Sequence, residues 1–168
     1  MNGAPSKEEI ELTLKKVDAF QRHTSNYRSA ANILGRKLIE KGCIRLGLQL
    51  IAESGGHDSS KLTSYVEWNY LFQNENPELL QLAIQEHQSK NSHHLEYWKD
   101  TEHIPRIHLA ELVADTFSRS NEFGKDYWEY MKDTFFPQHD IKVNSRTYKI
   151  IKEFVDLLVE KPFEAIKV

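Results

Sequence analysis

The chain has 168 residues, a net charge of −3 and one cysteine. This length suits a single domain, because one hydrophobic core usually forms from roughly 100 to 200 residues. The 22 basic residues are mixed with 25 acidic ones and form no dense basic stripe, so no nucleic-acid-binding surface is indicated. Cys43 has no thiol partner for a disulfide, which favours a reducing compartment.

Two further patterns concern targeting. No apolar run approaches the roughly 20 residues that a membrane-spanning helix needs. The opening stretch, MNGAPSKEEIE, lacks the charged and then apolar pattern of a signal peptide. We therefore expect a soluble, cytoplasmic protein that makes no contact with a membrane.

Apolar residues recur at helical spacing along most of the chain, and no segment keeps the strict alternation of a strand. We expect residues 1–7 to be frayed. Ser6 as a helix cap and Glu9 three residues later indicate the start of a helical region, which forms either two helices or one helix interrupted near 24–26. Gly42 is expected to end this region. Further helices are predicted over 44–52, 59–73, 76–98, 105–121, 124–136 and 145–161. The last two are expected to stop at Pro137 and Pro162. The sequence predicts an all-α, single-domain bundle of about six to eight helices over residues 1–168.

Histidines are concentrated in the middle of the chain, where four of the eight fall between 87 and 103. If 76–98 is one helix, His87 and His94 share a face and His93 points about 100° away. Asp115 lies on the following predicted helix. Imidazoles and carboxylates that helices hold at fixed spacing are suitable ligands for a divalent transition metal. The alternative for a lone helical histidine is a surface or hydrogen-bonded role, and this interpretation is given to His103, His108 and His139.

The motif HDSSK, residues 57–61, follows two glycines that allow a sharp turn. Taken alone, it is also consistent with ordinary helix capping. In that alternative, Asp58 or Ser59 accepts hydrogen bonds from the free backbone amides of the next helix.

The order of these residues resembles the HD-domain superfamily of metal-dependent phosphohydrolases. Members of that superfamily hold a metal with a first histidine, an adjacent His-Asp pair and a distant aspartate. The corresponding positions here are His23, His57, Asp58 and Asp115. The resemblance implies an HD-like helical domain.

Most of the chain is also similar to an uncharacterised family found in phages and bacteria. The shared motifs are H-D-x-S-K-F, H-x-x-x-N-x-H-H-x-x-x-W and E-M-V-A-D-W. Leu62, Leu112 and Thr116 stand where that family usually has Phe, Met and Trp. No settled activity can be transferred from it.

The HD resemblance implies a ligand set for two divalent ions. The first ion would be held by His23, His57, Asp58 and Asp115. The second would be completed by His87 with His94, or by His93, and the carboxylate of Asp58 would bridge the two. Mn, Fe, Co, Ni, Zn and Mg are not distinguished by these residue types.

The activity that this resemblance implies is hydrolysis of a nucleotide or another phosphate ester by a metal-activated water. The candidate catalytic residues are Asp58, Lys61 and Glu67. The candidate cations for the phosphate of a small-molecule substrate are Lys61, Arg22, Lys90 and Arg119. Glu67, Glu96 and Glu111 are the carboxylates that could transfer protons or orient ligands, and Glu111 is expected to orient a ligand histidine.

Two other functions use the same sequence features. An HD-type di-iron oxygenase would need the same ligands, since imidazole and carboxylate suit iron as well as manganese. A non-catalytic, metal-binding helical module that binds a partner belongs to a different functional class. The aromatic-rich segment 126–136 could lie in the core or form the face of a homodimer.

Overall fold

The computed structural model of the chain describes residues 4–68, 76–124 and 126–159. Within these ranges the regular structure is helical and no strand is present. The helices form a single domain. The predicted all-α fold class is therefore confirmed.

The described residues contain the following helices. In chain order they are α1 (Lys7–Glu40), α2 (Ile44–Glu53), α3 (Ser60–Thr63), α4 (Pro77–Lys90), α5 (Arg106–Glu122), α6 (Tyr127–Tyr130), α7 (Phe136–Gln138) and α8 (Arg146–Val159). A π-helical turn (Met131–Phe135) joins α6 to α7, and 3₁₀ turns span Ser54–Gly56, Leu95–Tyr97 and Thr101–His103.

Helix α1 begins with the predicted capping box, in which Ser6 and Glu9 exchange side-chain to backbone hydrogen bonds. Lys7, placed in the frayed start by the sequence, is already helical. The expected interruption near 24–26 is wrong, because α1 is continuous over 34 residues. The hydroxyl of Thr24 donates to the carbonyl of Phe20 one turn earlier, so its polar group is satisfied without a break in the helix.

The chain reverses after α1 at Gly42, whose φ of 85° lies in the left-handed region that favours glycine. Helices α1 and α2 then pack backbone to backbone. A Cβ on Gly47 would overlap the carbonyl oxygen of Gly35, so no side chain can separate the two helices there. This close contact brings the turn after α2 next to the middle of α1.

The predicted helix 59–73 ends early. Helix α3 stops at Thr63, and Ser64 is extended, with φ −86° and ψ 126°. The Ser64 hydroxyl accepts a hydrogen bond from the amide of Glu67, which starts a new turn and directs Glu67 into the protein interior. Residues 69–73 of this predicted helix lie outside the described residues.

The predicted helix 76–98 is also too long. Helix α4 ends at Lys90, and the next residue, Asn91, is extended. The main-chain N–H and the side-chain amide of Asn91 both donate to the main-chain carbonyl of His87, so Asn91 caps the end of the helix. His93 and His94 therefore lie in a turn, and the prediction that a helical face aligns His87 with His94 is wrong.

Two proline-based predictions have different outcomes. Pro137 does not stop a helix, because it lies in the first turn of α7, where its missing N–H is tolerated. Pro162 and residues 160–161 lie outside the described residues, as does residue 125. Helix α8 begins one residue later than predicted, at Arg146, and is described to Val159.

Helix α5 lies at the centre of the bundle. Its residues Leu109, Val113 and Ala114 are fully buried and pack in one core with residues of α1 and α8, such as Leu34 and Phe154. The aromatic segment 126–136 contributes further core residues, namely Tyr127, Met131, Phe135 and Phe136. This arrangement carries Asp115, near the middle of α5, into the interior. Among the described helices, none has the length and apolar character required to cross a membrane.

Candidate metal centre

All seven residues that the sequence offers as metal ligands come together in one buried cluster. They are supplied by five segments: α1 gives His23, the turn after α2 gives His57 and Asp58, the end of α4 gives His87, the following turn gives His93 and His94, and α5 gives Asp115. Their nitrogen and oxygen atoms form three overlapping groups, and within each group these atoms lie within 4.8 Å of one another.

Asp58 occupies the middle of the cluster. Its Oδ2 lies 3.5 Å from Nε2 of His23 and 3.7 Å from Nε2 of His57, whereas its Oδ1 lies 3.2 Å from Nε2 of His87 and 3.5 Å from Nε2 of His93. The two oxygens of one carboxylate thus face two different groups of imidazoles. The backbone of Asp58 is left-handed, with φ 58°, a conformation that aspartate tolerates better than most residues.

The capping alternative for HDSSK is wrong. Helix α3 has no side-chain hydrogen bond at its cap, which is Ser59, and Asp58 points toward the histidines instead. The ring of His57 is stacked on Tyr27, with 3.6 Å between the ring centroids. The turn therefore delivers both motif residues to the cluster.

Asp115 completes the group that contains His23 and His57. Its Oδ1 lies 3.4 Å from Nε2 of His23 and 3.3 Å from Nε2 of His57. His93 stands between the two halves of the cluster, since it belongs both to a group with His57 and Asp115 and to a group with His87 and His94.

Several polar atoms of the cluster are buried without a hydrogen-bond partner among the described residues. They are Nε2 of His57, Oδ1 of Asp58, Nε2 of His93, Nε2 of His94 and Oδ1 of Asp115. Buried polar atoms are normally satisfied, because an unpaired one costs about 1–3 kcal/mol. Five such atoms within one cluster of nitrogen and oxygen ligands fit a site that could hold a metal ion.

Two outer carboxylates fix the orientation of two imidazoles. Oε2 of Glu67 lies 2.8 Å from Nδ1 of His87 and also accepts from Ser60. Oε1 of Glu122 lies 3.2 Å from Nδ1 of His23. When Nδ1–H donates to a carboxylate, the lone pair of Nε2 points into the cluster, as a metal ligand requires.

Sequence reasoning missed Glu122 and placed Glu67 among the catalytic residues. Glu122 follows Asp115 by seven residues in α5, so helical periodicity puts both on one face and could have identified it. Glu67 is fully buried and faces His87, so its contacts are those of a positioning residue. Glu111 was expected to orient a ligand, but it pairs with His108, at 2.9 Å.

Three histidines were expected to have a surface or hydrogen-bonded role, namely His103, His108 and His139, and their surroundings differ. His108 is also hydrogen bonded with Ser92, at 3.0 Å, and His103 is exposed beside Asp100. His139 lines a cavity. None of the three belongs to the described groups that could hold a metal.

The predicted cations for substrate are spread over the structure. Lys61 is buried, with its Nζ 2.5 Å from Oδ2 of Asp58. Arg119 lines the same cavity as His139. Arg22 and Lys90 are exposed, neither is part of that cavity, and Lys90 pairs with Glu86.

Burial and charge set the protonation states of the cluster. Burial, helped by the charge of His57, lowers the pKa of His93 to about 4, and burial with the charges of His93 and His87 lowers the pKa of His94 to about 3. Burial opposes ionisation of Asp58, but the nearby imidazoles and Lys61 hold its pKa well below its ordinary value. Neutral His93 and His94 and an ionised Asp58 are the states in which these groups bind metals.

The pKa of His57 moves in the opposite direction to those of His93 and His94. Burial disfavours its charged form, but the carboxylates of Asp58 and Asp115 outweigh burial and raise its pKa. The pKa of Asp115 is correspondingly lowered: burial would raise it, and the charge of the nearby His57 ring, with Nε2 3.3 Å from Oδ1 of Asp115, overcomes this effect. A cation that used both residues would displace the proton of His57, so metal binding would be coupled to proton release.

A cavity of about 350 Å³ opens onto the cluster. Its walls include His93, His94 and Asp115 from the cluster, together with Arg119 and apolar side chains such as Leu112. A small molecule in this cavity would therefore lie beside the candidate ligands and within the same walls as an arginine.

The chain was compared with known proteins. A model of a family of unknown function, DUF5662, matches residues 13–157, a range that contains all seven candidate ligands. No curated protein and no solved structure matches the chain.

Proposed function

We propose that this chain, which belongs to the family of unknown function DUF5662, is a metal-dependent phosphohydrolase that acts on a small phosphate ester. The proposal depends mainly on Asp58, whose two carboxylate oxygens face two separate groups of imidazoles. A bridging carboxylate of this kind is suited to two cations bound side by side.

The residues present fit two divalent ions. His23, His57, Asp58 and Asp115 would hold the first ion. His87, His93 and His94, with the other oxygen of Asp58, would hold the second. This excess of imidazole over carboxylate favours Mn, Fe, Co, Ni or Zn over Mg, which prefers oxygen ligands.

Bound divalent ions at these positions supply an activated water and stabilise negative charge on a phosphoryl group. The chain itself keeps the ligands in place: Glu67 and Glu122 lie beside Nδ1 of His87 and His23. With Nδ1–H donating to these carboxylates, both rings would present Nε2 to bound ions. Lys61, beside Asp58, offsets negative charge at the centre of the cluster.

Arg119 provides the contact for the substrate in this proposal. Arg119 lines the cavity together with Asp115 and His94, and its Nη1 lies 3.1 Å from Oε2 of Glu122. Guanidinium groups bind phosphate oxygens through two parallel hydrogen bonds. A phosphate ester in the cavity would thus have its phosphoryl group held between Arg119 and the metal ligands.

The test begins with elemental analysis of protein purified without chelator, in which we expect about two ions per chain. Phosphate release from a panel of phosphate esters is then measured with Mn²⁺, Co²⁺, Zn²⁺ and Fe²⁺. The variant His94→Ala is expected to lose at least about 100-fold in rate, whereas His103→Ala, which removes an exposed imidazole outside the cluster, is the matched control and should retain full activity.

Three results would contradict the proposal in different ways. Protein that binds no metal after loading would remove the metal centre and leave a helical interaction module. Protein that binds two ions but releases phosphate from none of the esters would refute the hydrolase activity. Iron-dependent oxygen consumption without phosphate release would indicate oxygenase chemistry instead.

A further inference from the structure

One wall of the cavity carries hydrogen-bonding groups that the proposed chemistry does not use. Glu96, in the turn Leu95–Tyr97, lines the cavity with a side chain that is also partly exposed to solvent. Its Oε1 is 3.4 Å from Nε2 of Gln88 in α4 and 3.6 Å from Nδ1 of His139 after α7, and Gln138 lines the same cavity. Three separate segments thus bring a carboxylate, two amides and an imidazole to one place.

Aromatic rings complete the cavity beside this polar wall. Phe123, Tyr130 and Phe135 are lining residues, and the ring of His139 lies 4.6 Å from that of Phe135. Carboxylates and amides can accept and donate hydrogen bonds to neighbouring hydroxyl groups, while aromatic faces pack against the C–H surface of the same molecule. The combination suits a compact molecule with many hydroxyl groups.

Size and charge restrict the molecule further. A cavity of about 350 Å³ is near the lower end of the roughly 300–1,000 Å³ that small-molecule sites occupy. Arg119 is the single lysine or arginine among the described lining residues, which matches one phosphate group. The negative charge of Glu96 on the polar wall would repel a second one, and such repulsion is a common source of specificity.

We propose that this wall is the subsite for the non-phosphate part of the substrate, and that the substrate is the monophosphate ester of a small sugar or polyol. Glu96 is the specificity-determining residue: it accepts hydrogen bonds from hydroxyl groups and excludes a second phosphate. This inference rests on the proposed function, because it takes the phosphoryl group to lie at the metal ligands.

The experiment compares three probes that differ in one feature each. Fructose 6-phosphate has hydroxyl groups and one phosphate, butyl phosphate has one phosphate and no hydroxyl groups, and fructose 1,6-bisphosphate adds a second phosphate. Their binding to the full chain is measured by titration calorimetry, both with Mn²⁺ and after chelation. Fructose 6-phosphate should bind at least about tenfold more tightly than either comparison compound, which corresponds to one or two good hydrogen bonds or one repelled charge.

The variant Glu96→Gln keeps the size of the side chain and one acceptor oxygen, but it replaces the other oxygen with an NH₂ donor and removes the charge. It should bind fructose 1,6-bisphosphate about as well as fructose 6-phosphate, within roughly threefold. The matched control is Glu129→Gln, which removes one exposed negative charge outside the cavity and should keep the discrimination of the unmodified protein. Phosphate release from each probe is measured in parallel with Mn²⁺.

The outcomes separate this inference from the proposed function. Tight binding of fructose 6-phosphate without phosphate release would support the subsite and refute the hydrolase. Release of phosphate from butyl phosphate as efficiently as from fructose 6-phosphate would support the hydrolase and overturn the subsite. The subsite is also overturned if none of the probes binds, or if Glu96→Gln leaves the discrimination unchanged.

Discussion

Replacement of the central carboxylate tests the two-ion arrangement most directly. The variant Asp58→Asn is preferable to alanine, because position 58 has φ 58° and asparagine tolerates the left-handed region, whereas most other residues pay about 1–2 kcal/mol there. Asp140→Asn is the matched control: Asp140 also has a positive φ, 50°, but it is exposed and pairs with Lys142 at the surface.

The expected loss follows from the contacts of Asp58. Structural metal sites with four ligands bind with roughly 10–16 kcal/mol, or about 3 kcal/mol per ligand. This is about a hundredfold in affinity. Since Oδ1 and Oδ2 face different imidazole groups, both ions should lose at least that factor, whereas loss of any other single ligand should affect mainly one ion.

Calorimetric titration with Zn²⁺ and elemental analysis measure the affinities and the number of ions. The same variant removes the charge of the carboxylate that pairs with the buried Lys61, and breaking a buried ion pair is expected to destabilise the metal-free fold by about 3–5 kcal/mol. Circular dichroism must therefore accompany the titration, and Asp58→Asn/Lys61→Met should recover part of that stability. Two ions bound with unchanged affinity, or the loss of one ion alone by a folded variant, would refute the bridging role.

Three further predictions concern orientation, packing and pH. Glu67→Gln should lower the affinity for the ion at His87 by about 10- to 100-fold and leave the affinity for the other ion unchanged in the same titration. An equal loss of affinity for both ions would contradict the orienting role of Glu67. Gly47→Ala should lower the free energy of unfolding, measured in urea, by about 1–3 kcal/mol, because the added Cβ would overlap the backbone of the facing helix. The control is Gly56→Ala, whose Cβ would have nothing within 4 Å. Equal losses of stability in the two variants would argue against the close packing. Protein treated with a chelator should lose stability as the pH falls from 6.5 toward 3. Burial and neighbouring imidazoles lower the pKa of His94 in the folded protein to about 3. The unfolded chain therefore protonates His94 at a higher pH than the folded protein does, and falling pH favours unfolding. Thermal melts of His94→Gln should show a weaker pH dependence, and an unchanged one would be evidence against this explanation.

Helical periodicity and the order of a few polar residues were sufficient to predict the fold class and the members of the cluster. The order of the four residues along the chain does not depend on where each helix ends; they are His23, His57, Asp58 and Asp115. The positions of these residues could therefore be anticipated although several helix boundaries were wrong. Their role as metal ligands stays a prediction.

The local geometry depended on side-chain contacts that no single-sequence pattern reveals. Helix α4 ends before Asn91, which is extended and whose side-chain amide bonds to Ser60 and to the carbonyl of His87, although helical spacing continues beyond it in the sequence. Ser64 and Glu67 form a turn within a segment that reads as one helix, because Glu67 faces a histidine 20 positions later. Such a long-range pairing overrides local propensity. Glu111 instead pairs with His108, three residues earlier in the same helix, which the sequence spacing alone did not separate from a contact with a ligand histidine.

The candidate ligands are separated by nearly a hundred residues of chain, from His23 in α1 to Asp115 in α5. During synthesis, a ribosome-bound chain presents His23 long before Asp115 has left the exit tunnel, so the complete cluster can assemble only after about two thirds of the polypeptide has been made. An ion taken up then would act as a cross-link between early and late segments. In a chain cut once between α4 and α5, bound ions would link the two fragments in addition to the core that α5 shares with α1, so a chelator should make the fragments easier to separate.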